Sequence, residues 1–201
     1  MSTQIWQKPP IQVIQDFEQR GNARGTAGAL VMWAVRGVES LHYLNDLNDV
    51  FDSNLRGKSP YNPQMIEIAH IRWATDTAIS SLDLCTASLG REYINSQPAR
   101  ELDHRGLDPI KNPQIYTKLP RLARSWIDGV ISDQRYLEIH SFRNPLTHSR
   151  LFRKFYLPYK PAKFAVEGSG KLMSSARELV RNSKNLATDQ VIVFLKVLDS
   201  L

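Results

Sequence analysis

The chain has a single cysteine, Cys85, in 201 residues, so an internal disulfide and a zinc site built from several cysteines are both excluded. It also lacks any apolar run close to the roughly 20 residues of a membrane-spanning helix; residues 27–35 come nearest. The first residues contain no basic segment followed by an apolar one, so we expect no secretory signal. These absences predict a soluble, cytoplasmic protein with no membrane partner.

The sequence signatures of several enzyme classes are missing as well. The five histidines form no His-Glu-x-x-His or Cys/His spacing, so we expect no metal and no other cofactor. The glycines between residues 21 and 28 lack both a preceding strand and the Lys-Ser/Thr pair of a phosphate-binding loop. Cys85 lies among leucines, which is typical of a core thiol rather than a nucleophile.

Strand signals are nearly absent, whereas apolar residues recur at helical spacing between Pro and Gly residues. We therefore predict an all-α single domain over residues 1–201, a helical bundle around two long antiparallel helices. Its core is assigned to residues 27–150. A basic aromatic arm follows at 151–170, and its residues 154–166 are predicted to be extended or to form a hairpin. Helices are predicted at residues 10–19, 27–54, 63–94, 119–131, 133–142 and 172–198, with a surface loop at 99–120.

Apolar spacing also predicts which side of each long helix is buried. On the first helix these positions are Leu30, Ala34, Val38, Leu41 and Leu44. On the second they are Ile66, Ala69, Trp73, Thr77, Leu84, Cys85 and Leu89. Small residues on the second helix predict close packing against its neighbours, and they are Ala74, Ala78, Ser81 and Ala87.

The charge of the chain is unevenly distributed. Its formal net charge is +6, yet residues 143–184 contain ten Lys or Arg against only Glu167 and Glu178, a local balance of 10 − 2 = +8. The remaining residues therefore carry −2. A polyanionic partner is one interpretation of this basic segment, and a solvated face without a partner is the other.

The hexapeptide RNPLTH at residues 143–148 places a guanidinium, a carboxamide and an imidazole close together. Arg143 offers a planar fork of donors that suits phosphate oxygens, and His148 can exchange a proton near pH 7. Pro145 removes a backbone donor and disfavours helical geometry at Asn144. We therefore predict that the helix breaks or kinks here; after a break, Asn144 caps a new helix and Pro145 takes its first position. Such a break allows Arg143 and His148 to converge.

This segment resembles the Arg-x4-6-His signature of the HEPN superfamily, in which Asn often follows the Arg. The resemblance implies a helical, usually dimeric domain that in many members is a metal-independent endoribonuclease. It assigns Arg143, Asn144 and His148 as catalytic residues, in a cleft where two motifs meet across a two-fold axis. The reaction is attack of a ribose 2′-OH on the adjacent phosphate, which needs a base, an acid and nearby positive charge.

The resemblance also implies polar residues from a neighbouring helix near the motif. Asp76, Ser80 and Asp83 lie at i, i+4 and i+7 on the second long helix, so they form a polar stripe. Either Asp could orient Arg143 or His148; the alternative is an ordinary solvated face.

Related toxins that are paired with a nucleotidyltransferase antitoxin often carry Tyr two residues after the His. Arg150 stands at that position here, so silencing by adenylylation is not expected, although an antitoxin protein stays a possible partner.

The basic arm interleaves aromatic residues with cations. Stacking of bases beside a cationic track is typical of single-stranded RNA binding, whereas the alternative is that the aromatic rings anchor the arm to the bundle. The predicted RNA-binding residues are Arg150, Arg153, Lys154, Lys160 and Lys163.

The leading hypothesis is thus a homodimeric endoribonuclease acting in a toxin–antitoxin, phage-defence or RNA-processing context. Two alternatives are a catalytically inactive module that binds RNA or a nucleotide, and a helical interaction protein.

Overall fold

The computed structural model describes residues 5–20, 26–54, 63–94, 116–147, 152–157, 160–166 and 176–201. Within these ranges the chain forms six α-helices and one two-stranded hairpin. In chain order they are α1 (Pro10–Arg20), α2 (Thr26–Asn54), α3 (Pro63–Tyr93), α4 (Arg121–Ser132), α5 (Gln134–Thr147), β1 (Phe152–Leu157), β2 (Lys160–Val166) and α6 (Ala176–Ser200). None of the described helices is long and apolar enough to cross a bilayer.

The predicted helical fold class is confirmed, and each predicted helix is present with bounds that differ by a few residues. The two longest helices, α2 and α3, are those that the apolar spacing indicated. That they run antiparallel stays a prediction. Of the predicted surface loop at 99–120, residues 99–115 lie outside the described ranges.

Of the predicted break or kink at Asn144 and Pro145, the break is wrong, because α5 continues through both residues to Thr147. The kink stays a prediction. Pro145 lies in the last turn of α5, where its missing N–H removes one bond, to the carbonyl of Ser141. Buried Phe142 anchors the preceding turn in the core and stabilises the helix up to this point. Asn144 is therefore an internal helical residue and not the N-cap of a new helix.

The arm is a hairpin, one of the two forms that its prolines and aromatic residues predicted. β1 and β2 pair antiparallel, with Phe152 opposite Val166 and Lys154 opposite Phe164. The register becomes irregular between Phe155 and Leu157.

The chain packs as two compact units, each assembled from separate segments. The first unit contains residues 1–38, 80–133 and 187–201. The second contains residues 39–79 and 134–186.

In the first unit, Trp126 joins α4 to α6. Its ring lies 4.6 Å from that of Phe194 between centroids, at a tilted angle of 49°. Its indole Nε1 donates a 3.0 Å hydrogen bond to the carbonyl of Gln190, whose side-chain Nε2 donates to Asp133 at 3.3 Å. The indole thus buries its apolar surface while its one donor is satisfied.

Basic side chains occupy the C-terminal end of α6 in the same unit. Arg20, the last residue of α1, donates to the carbonyl of Leu198 at 3.0 Å and to that of Asp199 at 3.4 Å. Lys8 forms a 2.7 Å ion pair with the Asp199 carboxylate. The final carbonyls of a helix lack partners within the helix and carry negative partial charge, so these cations stabilise its end.

The buried face of α3 differs in part from the predicted one. Cys85 and Leu89 are buried as predicted, but Ala69 and Trp73 are exposed and those two predictions are wrong. Apolar residues occur on more than one face of this helix, so their spacing alone did not select the correct side. The side chain of Ile66 lies outside the described part. The residues that are buried are Ile71, Ala74, Thr75, Ala78, Ile79, Ser81, Leu82, Cys85, Thr86, Ala87, Ser88, Leu89, Gly90 and Glu92.

The four small residues of α3 that predicted close helix packing are all buried. Two buried hydroxyl groups nearby bond to backbone carbonyls of the same helix, about one turn earlier. Thr86 bonds the carbonyl of Leu82 at 3.1 Å, and Ser88 bonds that of Cys85 at 2.7 Å. Burial also raises the pKa of the Cys85 thiol, which is consistent with the predicted core role.

Replacing Phe194 with Ala should lower the free energy of unfolding by about 3–5 kcal/mol, because it opens a cavity beside Trp126. Urea denaturation followed by circular dichroism measures this change. The adjacent residue Val193 is 44% exposed, so Val193→Ala is the matched control and should alter stability by about 0.5 kcal/mol or less. Equal effects of the two substitutions would contradict the packing described for Phe194.

Candidate functional site

Arg143 lies on α5, directly after the buried Phe142, and its side chain is 31% exposed. Its Nε atom lies 3.8 Å from Oδ1 of Asp76 on α3. Both residues belong to the second compact unit. The sequence predicted that an acidic residue of the second long helix lies near the motif, and Asp76 does lie beside Arg143.

Asp76 stands between two guanidinium groups. Its Oδ2 atom lies 3.7 Å from Nε of Arg72, one helical turn earlier on α3. These N–O distances exceed those of hydrogen bonds, so the contacts are ion pairs. We call these three residues the Arg72–Asp76–Arg143 cluster; two cations and one carboxylate give it a net charge of +1.

The cluster is accessible to solvent. The side chains of Arg72 and Asp76 are 60% and 38% exposed. Ion pairs at this exposure contribute only about 0–1 kcal/mol to stability, since water and salt screen them. The carboxylate therefore matters chiefly for where it holds the two guanidinium groups, which remain reachable by an anion from solution.

The other motif residues are described only in part. Asn144 and Pro145 are helical, but their side chains lie outside the described part of the structure. His148 and Arg150 also lie outside the described residues. The convergence of Arg143 with His148 therefore stays a prediction.

Two further residues of the predicted polar stripe, Ser80 and Asp83, belong to the first compact unit. Both are partly exposed. Their role as supporting residues stays a prediction.

The described histidines have different surroundings. The ring of His140 lies 5.5 Å from that of Tyr136, one turn earlier on α5. Burial lowers the pKa of His70, because it disfavours the charged imidazolium. Burial also lowers the pKa of His42, helped by Lys184 and opposed by Asp46. His104 lies outside the described residues. Where side chains are described, no three His, Cys, Asp or Glu residues are grouped to hold a metal ion.

The hairpin contains four of the five predicted RNA-binding residues, all except Arg150. Lys154 on β1 stands opposite Phe164 on β2, and Lys163 on β2 stands opposite Phe155 on β1. Cross-strand partners share a face of an antiparallel pair, and successive residues alternate between faces. Each face of the hairpin therefore carries a cation and an aromatic residue at opposed positions. Arg153 stands opposite Ala165, and Lys160 opposite Leu157.

Sequence reasoning missed the surroundings of Arg143 in one respect. Trp73 was assigned to the core, and Arg72 was given no role, yet both are exposed on α3 beside Asp76. The available signal was their position: they precede Asp76 by three and four residues and so share its side of the helix.

No family model, curated protein or solved structure matches this chain. The resemblance to HEPN proteins consequently rests on the motif residues and on the helical layout.

Proposed function

We propose that the protein is a metal-independent endoribonuclease of the HEPN type that acts as a homodimer. The observation that carries this proposal is the Arg143–Asp76 contact: the arginine of the motif is held at 3.8 Å from a carboxylate on another helix while its side chain stays 31% exposed. A guanidinium fixed in this way is suited to bind a phosphate that approaches from solution. The all-helical fold class supports the same assignment.

The motif residues divide the chemistry between them. The ribose 2′-OH attacks the adjacent phosphate, and its proton passes to a base while an acid protonates the leaving 5′-oxygen. His148 supplies one of these two proton transfers. Arg143 stabilises the negative charge of the phosphorane, and Asn144 offers its carboxamide to the same phosphate.

The second proton transfer comes from the motif of the other protomer. Positions five apart on a continuous helix diverge by about 140° at 3.6 residues per turn. We therefore infer that Arg143 acts together with the His148 of the other protomer, across a two-fold axis. A composite site then provides two imidazoles and two guanidiniums to one RNA strand.

A second function, RNA binding without cleavage, is favoured by a different observation. The predicted break that brings Arg143 and His148 together in one chain does not form at residues 144–147. The hairpin, in contrast, keeps cations opposite aromatic residues on both faces, which suits single-stranded RNA. Under this alternative the basic surface has RNA or a nucleotide as its partner, and an antitoxin or other protein partner is not required.

Purified protein should cleave RNA in the presence of EDTA and leave 2′,3′-cyclic phosphate ends, because His and Arg replace a metal in the mechanism. Loss of one acid–base group in His148→Ala should lower the cleavage rate by about 10²- to 10⁴-fold. Gel analysis of a labelled oligonucleotide and end-group mapping measure both effects.

Asp46→Asn provides the control for Asp76→Asn in the same assay, since Asp46 is an exposed carboxylate on α2. Only Asp76→Asn should reduce the rate, because it releases Arg143 from its partner. A requirement for Mg²⁺, or full activity of a folded His148→Ala protein, would contradict the mechanism.

Mixing wild-type protein with excess His148→Ala chains should depress activity below that expected from the number of wild-type chains, since heterodimers have an incomplete site. Activity is measured after chain exchange over a range of ratios, with Lys196→Ala chains as the inert control because Lys196 is exposed on α6. Activity proportional to the wild-type fraction would show that each protomer works alone.

RNA affinity should fall steeply with salt if the hairpin tracks the phosphate backbone. Replacing Arg153, Lys154, Lys160 and Lys163 with Gln should make the log–log salt slope shallower by about 0.7 for each phosphate no longer neutralised. Fluorescence anisotropy at several salt concentrations measures the slope. Replacement of Lys118 and Arg121, two exposed cations near α4, is the control. An unchanged salt slope in the hairpin variant would contradict RNA binding by the hairpin.

A further inference from the structure

Trp73 is 46% exposed on α3, although apolar spacing assigned it to the core. A tryptophan exposes a large apolar surface to water, and such a side chain is informative when its surroundings are polar. Here the preceding residue is Arg72, which is 60% exposed, and Asp76 follows within one turn. Among the described large apolar side chains of α3, Trp73 alone is exposed.

The position of Trp73 places it next to the candidate site. Residues three apart on a helix have Cβ atoms about 5–6 Å from each other, so Trp73 and Asp76 lie on the same side of α3. The Asp76 carboxylate lies 3.8 Å from Arg143 and 3.7 Å from Arg72. An exposed indole and two guanidinium groups therefore lie within one helical turn of Asp76 or in contact with it, in a single compact unit.

We propose that Trp73 is a stacking platform for one nucleobase of single-stranded RNA, whose phosphate is bound by Arg72 and Arg143. This inference rests on the proposed function, because it takes RNA as the ligand of the same site. A phosphate entering between the two guanidinium groups replaces part of their contact with Asp76 by charge-assisted hydrogen bonds. The base of that nucleotide then reaches the indole, because residues 73 and 76 are separated by only about 4.5 Å along the helix axis, at 1.5 Å per residue.

The polar surroundings favour a nucleotide over a second copy of the chain. A stable protein interface buries about 800 Å² per partner and has an apolar centre. Trp73 is instead flanked by Arg72 and Asp76, and the cluster carries a net positive charge that complements a phosphate. One aromatic face beside a cationic anchor matches the requirements of base stacking.

The test uses the full-length protein and a short single-stranded oligonucleotide with 2′-O-methyl sugars, which cannot undergo 2′-OH attack. Fluorescence anisotropy gives the Kd for wild type, Trp73→Ala and Trp73→Phe. Loss of one base–aromatic stack should weaken binding by Trp73→Ala about 5- to 150-fold, while Trp73→Phe retains a ring and should bind within a few-fold of wild type.

Trp33 is the matched control, because it is also an exposed tryptophan, at 68%, and lies on α2 in the other compact unit. Trp33→Ala should bind as wild type does. An oligonucleotide of the same length whose sugars lack bases should bind wild type and Trp73→Ala with equal affinity, since no base is present to stack.

Unchanged binding by Trp73→Ala, or an equal loss on the base-free strand, overturns the stacking role. A smaller molar mass of Trp73→Ala in light scattering, with unchanged affinity per chain, assigns the residue to a protein interface and also overturns it. The two proposals fail separately. If the protein cleaves ordinary RNA in EDTA but Trp73→Ala binds as wild type does, only the stacking role is refuted. If binding depends on Trp73 but no RNA is cleaved, only the endoribonuclease activity is refuted.

Discussion

Burial of α3, on one side at residues 71–79 and around the whole helix at residues 85–90, is the constraint on which both the core and the candidate site depend. The buried positions include small and hydroxyl-bearing residues, from Ala74 and Thr75 to Ala87 and Ser88, so neighbouring helices can approach its backbone closely. The hydroxyl groups of Thr75, Thr86 and Ser88 bond to carbonyls of α3 itself and so are satisfied within the helix. This packing fixes the rotation of α3, and that rotation leaves Arg72, Trp73 and Asp76 accessible.

The candidate site consists of exposed charged side chains held in place by a buried apolar core. Phe142 is buried and anchors α5 in the second unit. The next residue, Arg143, is partly exposed and forms an ion pair with Asp76. The ion pairs add little to stability at this exposure. A phosphate competes with one carboxylate for two guanidinium groups, which is an exchange of one charge-assisted contact for another.

The continuation of α5 through Pro145 bears directly on how such a site can act. A helix that is unbroken to Thr147 makes no turn between Arg143 and the end of α5, so the local break that the sequence suggested does not bring the motif residues together there. The hairpin that follows extends the same basic segment, and its register distributes cations and aromatic residues over both faces. RNA binding is therefore compatible with either a catalytic or a silent form of the site.

Local signals in the sequence predicted the helices, a non-helical arm that was either extended or a hairpin, the core role of Cys85 and the excess of basic residues at 143–184. Each depends on spacing or composition within a short stretch, so no tertiary information was needed. Three features were decided only by tertiary packing: the rotation of α3, the helical state of residues 144–147, and the choice of Asp76 as the partner of Arg143. On α3 more than one face is apolar, and burial selects among them only when the neighbouring helices are present. At Pro145 the anchoring of Phe142 outweighs a local preference, and the Arg143–Asp76 pair joins residues 67 positions apart.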